Sequence, residues 1–161
     1  MVCDPNIREA TAEDSENISS LVYQLSEKYI TCEFTPQGSE ALLATMRPAA
    51  IRKCMENGFQ YHVAEMGALL TGVVGVKDNS HLYHLFVAET HHRQGIARKL
   101  WQVAKNACLL NGNPGVFTVN SSSYALRVYE NLGFKTQSEP EDKNGVIYTP
   151  MKLTIDRQIY S

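Results

Sequence analysis

The chain reads as one α/β domain of the α+β kind, residues 1–161, with a central, mostly antiparallel sheet of six to seven strands and about four helices around it. Three observations predict this. From Gln60 to Ala88 the sequence runs YHVAEM, ALLTGVVGV and HLYHLFVA, stretches rich in β-branched, aromatic and aliphatic residues separated by Met66-Gly67 and Lys77-Asp78-Asn79, the pattern of an antiparallel meander. After Gly95, Ile96, Leu100, Val103, Ala104 and Ala107 recur at helical spacing and mark the clearest amphipathic helix in the chain. Around these, strand-like and helix-like segments alternate, with no repeat, low-complexity tract or linker rich in Pro, Gly or Ser to divide the chain.

Taken in order, IREAT is a first strand, and the residues after Asp14 place Ile18, Leu21, Val22 and Leu25 on one face of a helix. A second helical stretch lies between Thr35 and Asn57. Pro48 must interrupt or bend it, because proline lacks the amide donor and clashes with the preceding turn, and Asn57-Gly58 ends it. The meander follows. The helix opened near Gly95 carries its apolar face to Leu110 or Asn111 and stops at Asn111-Gly112-Asn113-Pro114-Gly115. VFTVN is then a strand, SYALRVYENL a short helix closed by Gly133, and two last strands flank the polar turn SEPEDKNG. Pro150 in the final VIYTPMKLTI predicts an edge or a bulge there.

With 43% hydrophobic residues the chain is large enough to bury a core without disulfides or metal. A formal charge of −2 gives the whole molecule no electrostatic reason to seek nucleic acid or anionic membrane, which argues against a nucleic-acid-binding module. No apolar run is long enough to cross a bilayer, and MVCDPNIREA has neither a basic nor an apolar leader region, so the expected location is the cytoplasm. Cys3, Cys32, Cys54 and Cys108 are irregularly spaced with no CxxC pair, which reads as reduced thiols rather than a zinc knuckle or disulfide scaffold.

HHRQGIARKLW, His91 to Trp101, carries most of the functional information. The first amides of a helix have no internal partner, and the helix dipole adds positive charge there, so such an end is an anion site made of backbone. A bulky diphosphate needs small residues where the chain approaches it, and Gly95 and Ala97 flank Ile96, whose side chain can turn to the core. Arg93, Arg98 and His92 add donors at the same point, with Lys99 placed for a peripheral phosphate. The plainer alternative is a helix start with a solvated basic face. The stretch is neither a dinucleotide fingerprint nor a P-loop, since G-x-G-x-x-G and G-K-[ST] are both missing.

His81, His84, His91 and His92 raise a metal site, but residues three apart on a strand point to opposite faces, so His81 and His84 share an ion only across a bulge. No metal is expected. In NSSSYALRVYENLGF, Asn120 to Phe134, Ser122 or Ser123 can cap a helix, Gly133 can end it, and Ala125 and Tyr129 share a face. Tyr129 by itself fits a core tyrosine bonded to a carbonyl equally well.

Together the two stretches resemble the GCN5-related N-acetyltransferase (GNAT) superfamily, whose pattern is V-x-P-x-x-[RQ]-x-x-G-x-[GA] opening a helix and, later, N-x-x-x-x-A-x-x-x-Y-x-x-x-G-F. Here these read VAETHHRQGIA and NSSSYALRVYENLGF, and the order of elements matches over nearly the whole chain. Two positions depart: Glu89 stands where proline is common, and His92 where arginine or glutamine is expected. The pyrophosphate contacts come mainly from backbone, so the His92 change is expected to weaken binding only modestly.

The resemblance implies a mixed sheet splayed between strands 4 and 5, here HLYHLFV and VFTVN, with acetyl-CoA as co-substrate in the opening. It implies that the backbone of Leu85, Phe86 and Val87 binds the pantetheine arm, that the loop of His92, Arg93, Gln94, Gly95, Ile96, Ala97 and Arg98 holds the pyrophosphate, and that Asn120, Ser123 and Ala125 contact the arm from the other side. Tyr129 matches the general acid that meets the departing sulfur, and His81 is the candidate base, with His84, Glu65 and Glu33 behind it.

The implied activity is acetyl transfer to a primary amine by direct attack in a ternary complex. The alternative, from another class, is an acyl-CoA-binding sensor without turnover. A homodimer is common in the superfamily, and nothing local decides it. The acceptor pocket is implied at Leu21 to Pro48 and Glu139 to Ile147, where Glu33, Glu139, Glu141 and Asp142 would attract a cationic amine.

Overall fold

A computed structural model describes residues 4–156. Cys3 lies outside the described residues, and Cys32, Cys54 and Cys108 are free thiols. The order is β1 (Asn6–Glu9), α1 (Ser15–Tyr29), α2 (Pro36–Ala44), α3 (Pro48–Glu56), β2 (Gln60–Met66), β3 (Leu69–Lys77), β4 (His81–Val87), α4 (Ile96–Leu110), β5 (Val116–Ser121), α5 (Leu126–Asn131), β6 (Lys135–Thr136), β7 (Glu141–Lys143) and β8 (Val146–Thr154).

Pro48 does more than bend the second helical stretch. It takes the first position of a new helix, where its missing amide costs nothing, and splits the stretch into α2 and α3, so the described residues hold five α-helices. The polar turn before the last strand itself contains β7, so the sheet has eight strands, in the order β1-β2-β3-β4-β5-β8-β6 with β7 also on β8. All pairings are antiparallel except β4 with β5.

Pro150 is not on an edge, since β8 lies between β5 and the pair β6 and β7. The Pro150 carbonyl accepts the Gln137 amide at 2.9 Å, so the missing donor faces the same side. Pairing lapses there anyway, because β6 ends at Thr136 and β7 begins at Glu141.

Two cores form on the two faces of the sheet. Ile18 and Val22 of α1 and Ile51 of α3 pack with Tyr61, Val63 and Val73 on one face. On the other, α4 buries Ile96, Leu100, Trp101, Ala104, Cys108 and Leu109 against Val74, Leu82 and Phe117. The buried stripe of α4 thus differs from the one its spacing predicts. Trp101 meets the Phe117 ring edge-on at 5.1 Å and turns the helix toward itself, and Leu110 is left 90% exposed.

The hinge of the sheet is built by asparagines. Asp78 and Asn79 both take positive φ (54° and 57°) in the β3–β4 turn, which Asp and Asn tolerate best among non-glycines. Asn79 Nδ2 donates to the Cys108 and Asn111 carbonyls, both at 3.2 Å, and Asn113 Nδ2 donates to the Asn79 carbonyl at 2.7 Å. The start of β4 is thereby clasped to the end of α4 and the start of β5.

Candidate active site

Beyond that clasp the sheet opens. β4 and β5 pair only at His81 with Thr118 and Leu82 with Val119, and then separate. Two residues of β4 (Leu82, His84) stand against one step of β3 (Val76, Gly75), so Tyr83 is a bulged residue that bends the strand at the start of the opening. The bulge also turns Tyr83 and His84 to the same side, where Tyr83 meets Phe59 at 5.2 Å and His84 meets Phe86 at 5.8 Å. Further along, the Ala88 amide is taken by the Thr71 carbonyl at 2.8 Å. Backbone direction alternates along a strand, so Val87 and Leu85 present their polar groups to the open side.

A cleft of ≈ 990 Å³ fills the opening. Of the residues implied for cofactor binding, Leu85, Phe86, Val87, His92, Arg93, Gly95, Ile96, Ala97, Arg98, Asn120, Ala125 and Tyr129 line it. Gln94 and Ser123 are not in its wall. Ser123 instead donates its hydroxyl to the Glu33 carboxylate, and both line a smaller adjoining depression.

At one end of the cleft lies the N-terminus of α4. Gly95 precedes it with φ 76°, a left-handed conformation that glycine adopts freely, and Arg93 shares it at φ 65°. The first helical bond runs from the Lys99 amide to the Gly95 carbonyl at 3.1 Å, and among the described residues no amide from Arg93 to Arg98 has a backbone acceptor. A set of unpaired donors at a helix N-terminus is what a phosphate requires. The side chains are less free than the sequence implies. His92 Nε2 donates to the Val87 carbonyl at 2.7 Å, Arg98 donates to the Asn131 carbonyl at 3.2 Å, and Lys99 pairs with Asp4 at 2.6 Å. Glu89, at the position where proline is common, accepts from the Tyr29 hydroxyl and from Lys28 at 3.1 Å, so it ties the loop to α1.

Tyr129 is 7% exposed, with its ring edge-on to Phe134 at 5.9 Å, and burial raises its pKa well above the ordinary phenol value. No hydrogen bond of its hydroxyl is seen among the described residues, and the residue lines the cleft.

The two histidines of β4 sit differently. His81 is partly exposed, and Nδ1 lies 2.7 Å from Thr118 Oγ1. Burial, and then the charge of Lys77, lower its pKa. His84 is 3% exposed, with Nδ1 2.9 Å from the Tyr61 hydroxyl, and burial lowers its pKa to about 3. Both rings line the cleft as neutral imidazoles at pH 7. Glu65 is bonded to Arg8 on β1 and is not in the cleft wall. No group of three or more His, Cys, Asp or Glu placed to share a metal ion occurs among the described residues.

The sequence matches the model of the acetyltransferase (GNAT) domain over residues 30–155. The chain belongs to the GNAT acetyltransferase family. Its fold is similar to that of a GCN5-related N-acetyltransferase from Rhodopseudomonas palustris, with a TM-score of 0.78 and 17% identity over 96% of this chain and 99% of that one. PaiA N-acetyltransferase from Thermoplasma acidophilum, solved in complex with coenzyme A, gives 0.74 and 17% over 95% and 100%. A phosphinothricin acetyltransferase from Sinorhizobium meliloti, solved with acetyl-CoA, gives 0.68 and 16% over 96% and 90%. No curated protein matches the sequence.

In this GNAT domain, three features went unread in the sequence. The Tyr83 bulge leaves no mark in HLYHLFV, which alternates like any half-buried strand. The Tyr61–His84 pair joins residues 23 apart. Asn113 in NGNPG has the local signal of a helix stop, yet its side chain also accepts the Gly115 and Val116 amides at 2.6 and 3.0 Å.

Proposed function

We propose that the protein is an acetyl-CoA-dependent N-acetyltransferase that transfers the acetyl group to a primary amine by direct attack in a ternary complex. One observation carries this reading: the unpaired amides of the α4 loop, the open edge of β4 and the unpartnered Tyr129 hydroxyl all line a single cleft. The solved relatives with coenzyme A or acetyl-CoA bound support the same co-substrate.

The amides from Arg93 to Arg98 hold the pyrophosphate, with Gly95 and Ala97 giving the backbone room. Leu85 and Val87 offer their strand edge to the pantetheine arm, although the Val87 carbonyl is already held by His92. Asn120 and Ala125 bound the arm opposite. A strand amide of β4 donates to the carbonyl oxygen as negative charge develops there.

Tyr129 stabilises the departing sulfur by a hydrogen bond. A free phenol titrates at about 10 and a thiol at about 8.5, so complete proton transfer is uphill by roughly 2 kcal/mol before burial adds to it. Burial raises the Tyr129 pKa further and keeps it a neutral donor. The attacking amine loses its proton to His81 or to water it holds, since His81 is neutral and lines the cleft at the closed end of the splay.

The test is thiol release from acetyl-CoA across a panel of primary amines, with acetyl-CoA binding measured on the same sample. Release that depends on amine, with a matching acetylated product, is the expected result. Binding with no release under any amine contradicts the reading and leaves an acyl-CoA-binding module.

A further inference from the structure

Within the transferase reading, on which this inference rests, the structure assigns the acceptor a chemical class: we propose a monoamine with an apolar body, rather than a polyamine or a lysine in a cationic peptide. The acceptor side of the cleft is the α1 face of the sheet. Leu85 and Val87 pack toward α4, whereas Phe86 packs toward α1 and α3, so the two sides of β4 serve different ligands. On the α1 side the wall is mostly apolar, with Leu25, Ile30, Phe34, Leu42 and Met46 facing Phe86, and its polar groups are Thr45, Tyr83 and the neutral His84. Ile147 and Tyr148 of β8 close it from above.

The charges point the same way. Among the described residues no Asp or Glu lines the cleft, and the lysine and arginine side chains in its wall are Arg93, Arg98 and Lys143. None of the four carboxylates that the sequence offers to a cationic amine is in the wall, and each that has a partner is held outside it. Glu33 accepts from Ser123, and Asp142 accepts the Gly145 amide at 2.8 Å. Glu141 stands opposite Tyr148, whose pKa it raises, and Glu139 is exposed outside the wall.

A second ammonium group bound here would lose water without gaining a counterion, which is strongly unfavourable. An apolar body loses nothing and gains about 25 cal/mol for each Å² of its surface covered. The reacting amine is affected as well. Apolar walls favour the neutral form, which is the nucleophile, so the chamber itself lowers the demand on a general base.

The experiment compares kcat/KM for phenethylamine, hexylamine, spermidine and a lysine-containing basic peptide, for the parent and for Leu42→Glu. The parent is expected to use the two apolar monoamines at least tenfold better than spermidine or the peptide, and the added carboxylate to narrow that ratio at least fivefold. Should Leu42→Glu not fold, Phe34→Ala serves, with KM for phenethylamine raised severalfold and acetyl-CoA affinity unchanged. Spermidine or the peptide used as well as the monoamines overturns the apolar assignment and leaves the transferase reading standing. Acetyl-CoA binding with no amine acetylated removes the transferase reading and this inference together.

Discussion

His84 is a buried histidine at the wall of the cleft. It is neutral in the folded state down to about pH 3, because the ring is buried among Tyr61, Tyr83 and Phe86, while in the unfolded chain it titrates at the ordinary 6.5. The unfolded state therefore binds the extra proton between those two values. Stability is full above pH 6.5 and falls as pH drops toward 3, by about 1.4 kcal/mol per pH unit once the unfolded histidine is charged. His62 and His81 are shifted in the same direction by burial and add to the acid sensitivity. Urea unfolding from pH 7 to 4.5 is expected to show this slope, and His84→Gln to reduce it by one proton's worth. An unchanged slope would place the titration elsewhere. Asp14 acts lower, since the Arg8 guanidinium holds its carboxyl below the usual range and its contribution is lost only in stronger acid.

At the scale of elements, the roof of the proposed acceptor chamber depends on two glycines. The β7–β8 turn reaches the start of α2, where the Thr35 amide donates to the Gly145 carbonyl at 3.3 Å. A Cβ on Gly38 would lie 2.3 Å from the Gly145 oxygen, and one on Gly145, at φ 87°, would lie 2.0 Å from Thr35 Oγ1. Gly145→Ala is expected to cost about 1–3 kcal/mol of stability through strain and displacement. It should raise KM for the amine while leaving acetyl-CoA affinity unchanged, as thermal unfolding and steady-state kinetics on one preparation would register. An equal loss of affinity for both substrates would mean that the hairpin holds the whole cleft.

Sequence periodicity made α1 and the meander legible because each buries one face against one partner. It misplaced the stripe of α4, because Trp101 sits between two aromatic rings, Phe117 and Phe134, that come from distant segments. It also left the roof unread, since a contact between Gly38 and Gly145 has no local signal.

For the molecule as a whole, the splay between β4 and β5 unites the fold with its proposed chemistry. The Asn79 and Asn113 clasp closes one end, the Tyr83 bulge bends β4 away, and the cleft joins a helix N-terminus on one side to an apolar chamber on the other. The proposed phosphate loop has its signal in Gly95 and Ala97, because backbone approach requires small residues at a fixed spacing. The acceptor side was not readable: the acidic residues visible in the sequence lie outside the wall, and burial rather than composition decides which charges a ligand meets.

The central claim is that Tyr129 acts on the departing sulfur inside this cleft, and Tyr129→Phe tests it most directly when turnover and acetyl-CoA affinity are measured on the same protein. The account predicts turnover lowered at least tenfold with affinity little changed, since the substitution removes one oxygen and keeps the ring against Phe134. Turnover equal to the parent's would contradict it.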